Sequence, residues 1–330
     1  MALLTFCLVT GSTVPRFALE LLAAARRLSE QLGGTPVQTL LLGSEVKNQS
    51  SVLIQHGADQ VLLADHPSLG NPGDEIVLNL LEEVVCQFKP QVILLPHNEL
   101  GGGHLGPRLA YRLKTGIVTD CTGFDVQNGN IRWLRPVYGG KAMVYMRTRG
   151  PVQIATIRSR AFEPLKPDPD RQGEVHEIKI VPELLSSSVN VVRRVEVPGI
   201  EGEISLDRAE IIVGGGRGMG SSEGFSRLRE LARLLGAAVG GSRPAVDMGW
   251  LPHSHLIGQT GKIVAPKLYI AVGISGASQH MAGAGGSKTI VAINKDPDAP
   301  IFKLAHIGVV EEWEKIIPPL IQALKEMLSK

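Results

Sequence analysis

Along residues 1–116, short apolar runs alternate with longer stretches whose apolar positions recur every three to four residues. "LLTFCLVTG" precedes "RFALELLAAARRLSEQLGG", "VQTLLLG" precedes "SSVLIQHGA", and "QVLLAD" precedes "EIVLNLLEEVVCQFK". "QVILLPH" then leads through a glycine-rich loop, "NELGGG", into the helical "LGPRLAYRLKTG". Runs that are apolar at every position predict strands buried on both faces, and their alternation with helices predicts a parallel sheet. Residues 117–164 are rich in Val, Ile, Tyr and Arg with turn glycines, and predict further strands.

Pro, Gly, Ser and charge concentrate in residues 165–207, and a linker is expected near 196–207. A second alternation follows. "AEIIVGGGRG" reads as a strand and glycine turn, "GFSRLRELARLLGAA" as a helix, and "KLYIAVGIS" and "TIVAIN" as strands. "EEWEKIIPPLIQALKEMLSK" reads as a terminal helix that Pro318 and Pro319 should kink or delay. The chain is thus α/β. A Rossmann-like, nucleotide-binding-like parallel-sheet domain is expected over residues 1–200, and a smaller doubly wound domain over 201–330. Ligands of such sheets bind outside the carboxyl ends of the strands. In the second domain those ends carry Gly214–Gly220, Ser275–Gly276 and Asn294–Asp296.

Composition narrows the function. The 330 residues are 43% hydrophobic and 20% charged, as in ordinary globular proteins, and suffice for two domains. A net charge of +2 with 4% aromatic residues offers neither the basic stripe nor the stacking platforms of a nucleic-acid partner. Cys7, Cys86 and Cys121 form no C-x-x-C pair and read as reduced thiols. "MALLTFCLVTGS" has no basic n-region and too short an apolar run to span a bilayer, so no membrane insertion is expected and the cytoplasm is the expected location.

Several motifs approach known chemistry and miss it. No frame of "VGGGRGMGSSEGF" supplies glycines at n, n+2 and n+5, which disfavours an NAD enzyme. "GQTGKIV" and "GAGGSKT" both depart from the phosphate loop of ATPases. His253 and His255 make an H-x-H pair with no third ligand nearby, and no G-x-S-x-G elbow exists. What remains is a concentration of polar residues within 55 positions: Ser242, Arg243, Gln259, Thr260, Ser275, Gln279, His280, Asn294 and Asp296. Each lies at or near an expected strand end or glycine turn. Together they suggest one large polyfunctional ligand.

At this point the chain closely resembles the alpha subunit of electron-transfer flavoproteins. The resemblance rests on "LYIAVGISGASQH" (Leu268–His280), on the following "IVAINKDPDAPIF", and on "GGRG", "SRPAVD" and "GQTGK" upstream. It is specific over residues 205–330. Over 1–195 it rests on the alternation and on "GPRLAYRLKTGIVTDCTG".

The resemblance implies FAD bound by the C-terminal domain. It also implies a heterodimer with a beta subunit that holds AMP or, in electron-bifurcating members, a second FAD. The implied partners are flavin dehydrogenases and a quinone- or ferredoxin-linked acceptor. Arg217 would meet the FAD phosphates, and Ser242 and Arg243 would lie beside the ring. Ile257, Gly258, Gln259, Thr260 and Gly261 would form a loop along the isoalloxazine, with Thr260 near N5. Ser275, Gly276, Ala277, Ser278, Gln279 and His280 would wrap the ribityl–pyrophosphate region, with His280 turned back toward the ring.

Asn294 would contact the adenosine end. His306 stands where the family commonly has Asp near the adenosine, and it or the Ile307 backbone would touch it. Ser278 replaces the usual Ile or Val. An electron carrier benefits from a cation near the flavin. A guanidinium roughly 5 Å away at an effective dielectric of about 20 contributes about 3 kcal/mol, or about 0.1 V for one electron. Arg243 and a protonated or hydrogen-bonding His280 are the groups expected to supply this effect. The competing expectation is a metabolic enzyme that binds NAD or ATP directly.

Overall fold

A computed structural model describes residues 2–189, 204–206 and 209–328. The alternation of residues 1–116 becomes β1 (Leu3–Val9), α1 (Arg16–Gln31), β2 (Val37–Gly43), α2 (Gln49–Gln55), β3 (Gln60–Asp65), α3 (Asp74–Phe88), β4 (Val92–His97) and α4 (Gly106–Arg112). The next strands are β5 (Ile117–Cys121), β6 (Gly123–Gln127), β7 (Asn130–Val137), β8 (Ala142–Met146), β9 (Gln153–Arg158) and β10 (Glu174–Glu177). Seven of these form one parallel sheet in the order β10-β3-β2-β1-β4-β9-β5. The apolar runs explain its central position: Leu40, Leu41 and Leu42 of β2 are fully buried, as are Val92 to Leu95 of β4. β6, β7 and β8 form a separate three-stranded sheet.

The stretch after β4 is not the expected glycine loop. Glu99–Leu105 winds as a π-helical turn capped by the Asn98 side chain, which accepts from the Gly101 N–H at 2.9 Å. Glycine is required there because a Cβ on Gly101 would lie 2.1 Å from the Pro96 carbonyl oxygen.

The second alternation gives β11 (Ile211–Gly215), α5 (Ser222–Leu235), β12 (Ala238–Gly241), α6 (Arg243–Asp247), β13 (Leu268–Val272), α7 (Ser278–Ala284), β14 (Thr289–Asn294), β15 (Ile307–Val310) and α8 (Trp313–Leu328). Its five strands are parallel in the order β12-β11-β13-β14-β15. Numbered within the sheet, that is 2-1-3-4-5, a doubly wound order whose direction reverses between β11 and β13.

The pleat sorts the core by alternate residues. Ile212, Tyr269, Ala271, Ile290 and Ala292 pack on one face with Met281 and Ala284 of α7. Val213, Ile270, Val272 and Ile293 pack on the other with Phe225, Leu228 and Leu231 of α5 and with Ile317 and Ile321 of α8. α8 starts at Trp313 and continues through Pro318 and Pro319, so the prolines do not delay it.

The molecule divides into two compact units: Met1–Val137 with Met143–Arg194, and Tyr138–Ala142 with Val195–Lys330. The expected boundary at 200/201 lies outside the described residues, as does most of the expected linker.

Candidate functional site

A cavity of about 550 Å³ lies at the carboxyl ends of the second unit's strands, at the β11/β13 reversal. The turn after β11 brings in Arg217 and Gly218, and the turn after β13 brings in Gly273, Ile274 and Ser275. Glycine allows these turns to touch. A Cβ on Gly216 would lie 2.2 Å from the Gly273 carbonyl oxygen, whereas the bare backbones join through Gly218 N–H donating to Gly273 O at 3.0 Å. Gly273 itself has φ +61°.

From β12, Ser242 and the first turn of α6 supply another wall. The Ser242 N–H donates to Gly215 O at 3.0 Å, tying β12's end to β11's. Arg243 Nε donates to Asp247 at 2.8 Å one turn later, and its Nη1 reaches Thr260 Oγ1 at 3.5 Å. The Leu256–Thr260 segment closes the cavity above α7. It is pinned by Ile257 N–H to Gly241 O at 2.9 Å and by Gln259 N–H to Gln279 O at 2.8 Å. Gly283 lets α7 approach, since a Cβ there would lie 2.4 Å from the Gly258 nitrogen.

Two guanidiniums, Arg217 and Arg243, and one carboxylate, Asp296, line the cavity. His280 also lines it and is 6% exposed. Burial lowers its pKa from 6.5 to about 4, with the Ile257 carbonyl acting the other way, so the ring is neutral at physiological pH. Its Nε2 lies 2.7 Å from Tyr269 Oη, while its Nδ1 is buried without a well-formed partner in the protein.

The structure brings together most of the residues singled out from the sequence. Arg217, Ser242, Arg243, Ile257, Gly258, Gln259 and Thr260 face one cavity with Ser275, Ala277, Gln279, His280 and Asn294. Five singled-out residues are elsewhere. His306 and Ile307 precede or open β15 and so sit at the amino end of a parallel sheet whose cavity is at the carboxyl end. There His306 Nδ1 accepts from the Ile290 N–H at 3.0 Å, and the expected adenosine contact is corrected accordingly. The residue that follows β15 at the cavity's end of the sheet is Glu311, whose N–H donates to Asn294 O at 3.2 Å.

Gly261 packs under Leu256, Gly276 (φ +84°) packs against the backbone of Ile301, and Ser278 opens α7; none of the three lines the cavity. Two expected roles also change. Burial favours the neutral form of His280, and with it the hydrogen-bonding alternative. Asn294 lines the cavity but also spends its amide on structure, donating to Ile274 O at 2.9 Å and accepting from the Asp296 N–H at 3.0 Å. Leu256, Ile274 and Ala299 line the cavity without having been singled out, because apolar residues carry no chemical signal in a sequence. Asp296, expected from its place after a strand end, does line the cavity.

The reversal-point cavity, its two arginines and its largely apolar wall define a protein that binds an anionic, partly aromatic nucleotide cofactor. Comparison with known proteins identifies which. Residues 4–183 match the electron transfer flavoprotein domain, and residues 205–285 match the electron transfer flavoprotein FAD-binding domain. The chain is 42% identical over 313 residues to the electron transfer flavoprotein subunit alpha of Thermoanaerobacterium thermosaccharolyticum, covering 94% of this chain and 93% of that one. It is 40% identical to the subunit alpha of Bacillus subtilis over 93% of this chain and 92% of that one. It is 39% identical to Protein FixB of Clostridium saccharobutylicum over 95% of this chain and 93% of that one.

The chain therefore belongs to the electron transfer flavoprotein alpha-subunit family, and its cofactor is FAD. The cavity fits that cofactor. Its volume falls within the roughly 300–1,000 Å³ of small-molecule sites. Its guanidiniums suit phosphates and a ring that gains negative charge on reduction, and the buried His280 Nδ1, without a well-formed partner in the protein, suits a polar ring edge. Among the described residues, no helix is long and apolar enough to cross a membrane.

Proposed function

We propose that this chain is the FAD-bearing alpha subunit of a heterodimer with a beta subunit. It passes electrons between flavin dehydrogenases, such as acyl-CoA dehydrogenases, and a quinone reductase or another acceptor. The observation that carries this reading is the state of His280. The histidine of the cavity is neutral, buried and hydrogen-bonded to a buried tyrosine, which suits holding a cofactor rather than general acid–base catalysis.

FAD supplies the electron-carrying ring when bound; the residues here bind and tune it. Arg217 would hold the phosphates as a charged donor. Arg243, anchored by Asp247 and reaching Thr260, would set a positive potential at the ring with Ser242 beside it. Gln259 and Thr260 would orient the ring's polar edge. The Ser275–His280 turn would wrap the linking chain, and Asn294 would fix the turn beyond it. The apolar wall of Leu256, Ile257 and Ile274 excludes water and strengthens these charges.

Co-expression with a beta subunit and a flavin count test the reading. One FAD per heterodimer is expected of a simple carrier. Two would indicate the bifurcating arrangement, which couples NADH oxidation to ferredoxin and a higher-potential acceptor. A colourless heterodimer that binds NAD or ATP tightly would overturn both. On this reading the first domain, residues 1–200, contacts the beta subunit, and residues 201–330 carry the cofactor.

A further inference from the structure

Tyr269 lies on β13 at the centre of the second sheet and is fully buried. Its Oη is 2.7 Å from His280 Nε2, with the ring centroids 6.0 Å apart. That hydrogen bond can run in two directions. If the phenol accepted from Nε2–H, its own hydrogen would be buried with no acceptor, because among the described residues Oη meets no other polar partner. Nδ1 would then be a second buried group without a donor. If the phenol donates, both Oη–H and Nε2 are satisfied, and the Nδ1–H that remains lies on the cavity wall near the Ile257 carbonyl, which favours a hydrogen there without making a well-formed bond to it. The first direction leaves two buried polar groups unmade and the second at most one, and each costs its desolvation, so the second prevails.

We propose that Tyr269 is a positioning residue that fixes His280 as the neutral tautomer with its hydrogen on Nδ1, so that the ring presents a donor to the cavity. β11 is shaped to allow it. A Cβ on Gly214 would lie 2.2 Å from Tyr269 Oη, so glycine at that strand position leaves the room that the hydroxyl occupies. Gly214, Tyr269 and His280 form a chain from one strand through the next to the cavity. Burial raises the pKa of the phenol and lowers that of the imidazole, so neither gives up this arrangement near neutral pH. The identity of the acceptor, a polar atom of FAD, rests on the cofactor reading above; the tautomer does not.

The test uses the full chain labelled with ¹⁵N-histidine, with and without FAD, and reads the protonated nitrogen of His280 from two-bond ¹H–¹⁵N spectra. The resonance is assigned by its loss in His280→Gln. Nδ1–H is expected in the unmodified protein, before cofactor is added. Nε2–H there overturns the proposal without recourse to any variant. Tyr269→Phe keeps the ring and removes the hydroxyl. It should shift His280 to a mixture or to Nε2–H, and weaken FAD binding about tenfold. Gly214→Ala, which displaces the phenol, should do the same. An unchanged tautomer in a folded Tyr269→Phe would reduce Tyr269 to a packing residue. If FAD failed to bind while the Nδ1–H form and its dependence on Tyr269 held, the cofactor reading would fail and this inference would stand.

Discussion

At the scale of single residues, the cavity separates charge from hydrogen bonding. Arg243 carries the charge and Asp247 opposes it at 2.8 Å, so the net field at the site is a difference between two groups one helical turn apart. Replacing Arg243 by Ala removes the cation and leaves the carboxylate unopposed. The flavin potential should fall by up to about 0.1 V, the size of one guanidinium nearby at an effective dielectric of about 20. Asp247→Asn should raise it. Spectroelectrochemical titration of both variants gives the answer, and potentials equal to that of the parent would remove Arg243 from its role.

His280 contributes to stability through its burial. Its pKa is lowered from 6.5 to about 4, so as the pH falls through that window the unfolded chain takes up the proton and the folded one does not. Stability should therefore drop by about 3 kcal/mol from pH 6.5 to 4, with no further loss from this group below. Denaturant unfolding of parent and His280→Gln at stepped pH isolates this effect; equal slopes in the two would contradict the assigned burial.

The residue types of both groups were legible in the sequence. Their electrostatic states were not, because Tyr269 and Asp247 act through distance and burial. His306 was misplaced for a related reason: a motif match gives no indication of which end of β15 a residue occupies.

At the scale of elements, the site is made by strand order. Long apolar runs marked β1 to β4, β11, β13 and β14 in the sequence, since buried parallel strands are apolar throughout. β12, α6 and β15 went unmarked: each is four or five residues long, and "AVGG" reads as a turn until β11 pairs with it. Without β12 the 2-1-3-4-5 order, and so the reversal point, could not be derived from the pattern.

Several of the glycines at that point admit other backbone. Gly216→Ala tests this. Its Cβ would meet the Gly273 carbonyl at 2.2 Å, and the nearest atoms are all backbone, with no flexible side-chain end among them to yield. Overpacking of this kind costs about 1–3 kcal/mol. A lower melting temperature and loss of flavin are expected, even though the added methyl faces the neighbouring turn. A variant that melts and retains FAD like the parent would show that the two turns are less tightly apposed than the structure has them.

At the scale of the whole molecule, the two units have separate cores, and the cofactor cavity is built from the second. The first buries its leucines and valines around the seven-stranded sheet; the second fills both faces of its own five-stranded sheet with different side chains. Every residue lining the FAD cavity lies between Arg217 and Ala299, within the second unit. A ligand stabilises the cooperative unit whose native form it binds, by about 2.7 kcal/mol at a hundred times its Kd. Hydrogen exchange read by mass spectrometry, with and without FAD, should show this partition. Peptides covering the β11 and β13 turns, the Leu256–Thr260 segment and α7 should slow by about a hundredfold at that excess. Peptides from β1, β2 and β4 should exchange at unchanged rates, because their opening breaks a core that the cofactor does not touch. Equal slowing in both units would mean that they open as one cooperative body, and that the division seen in the packing does not extend to their stability.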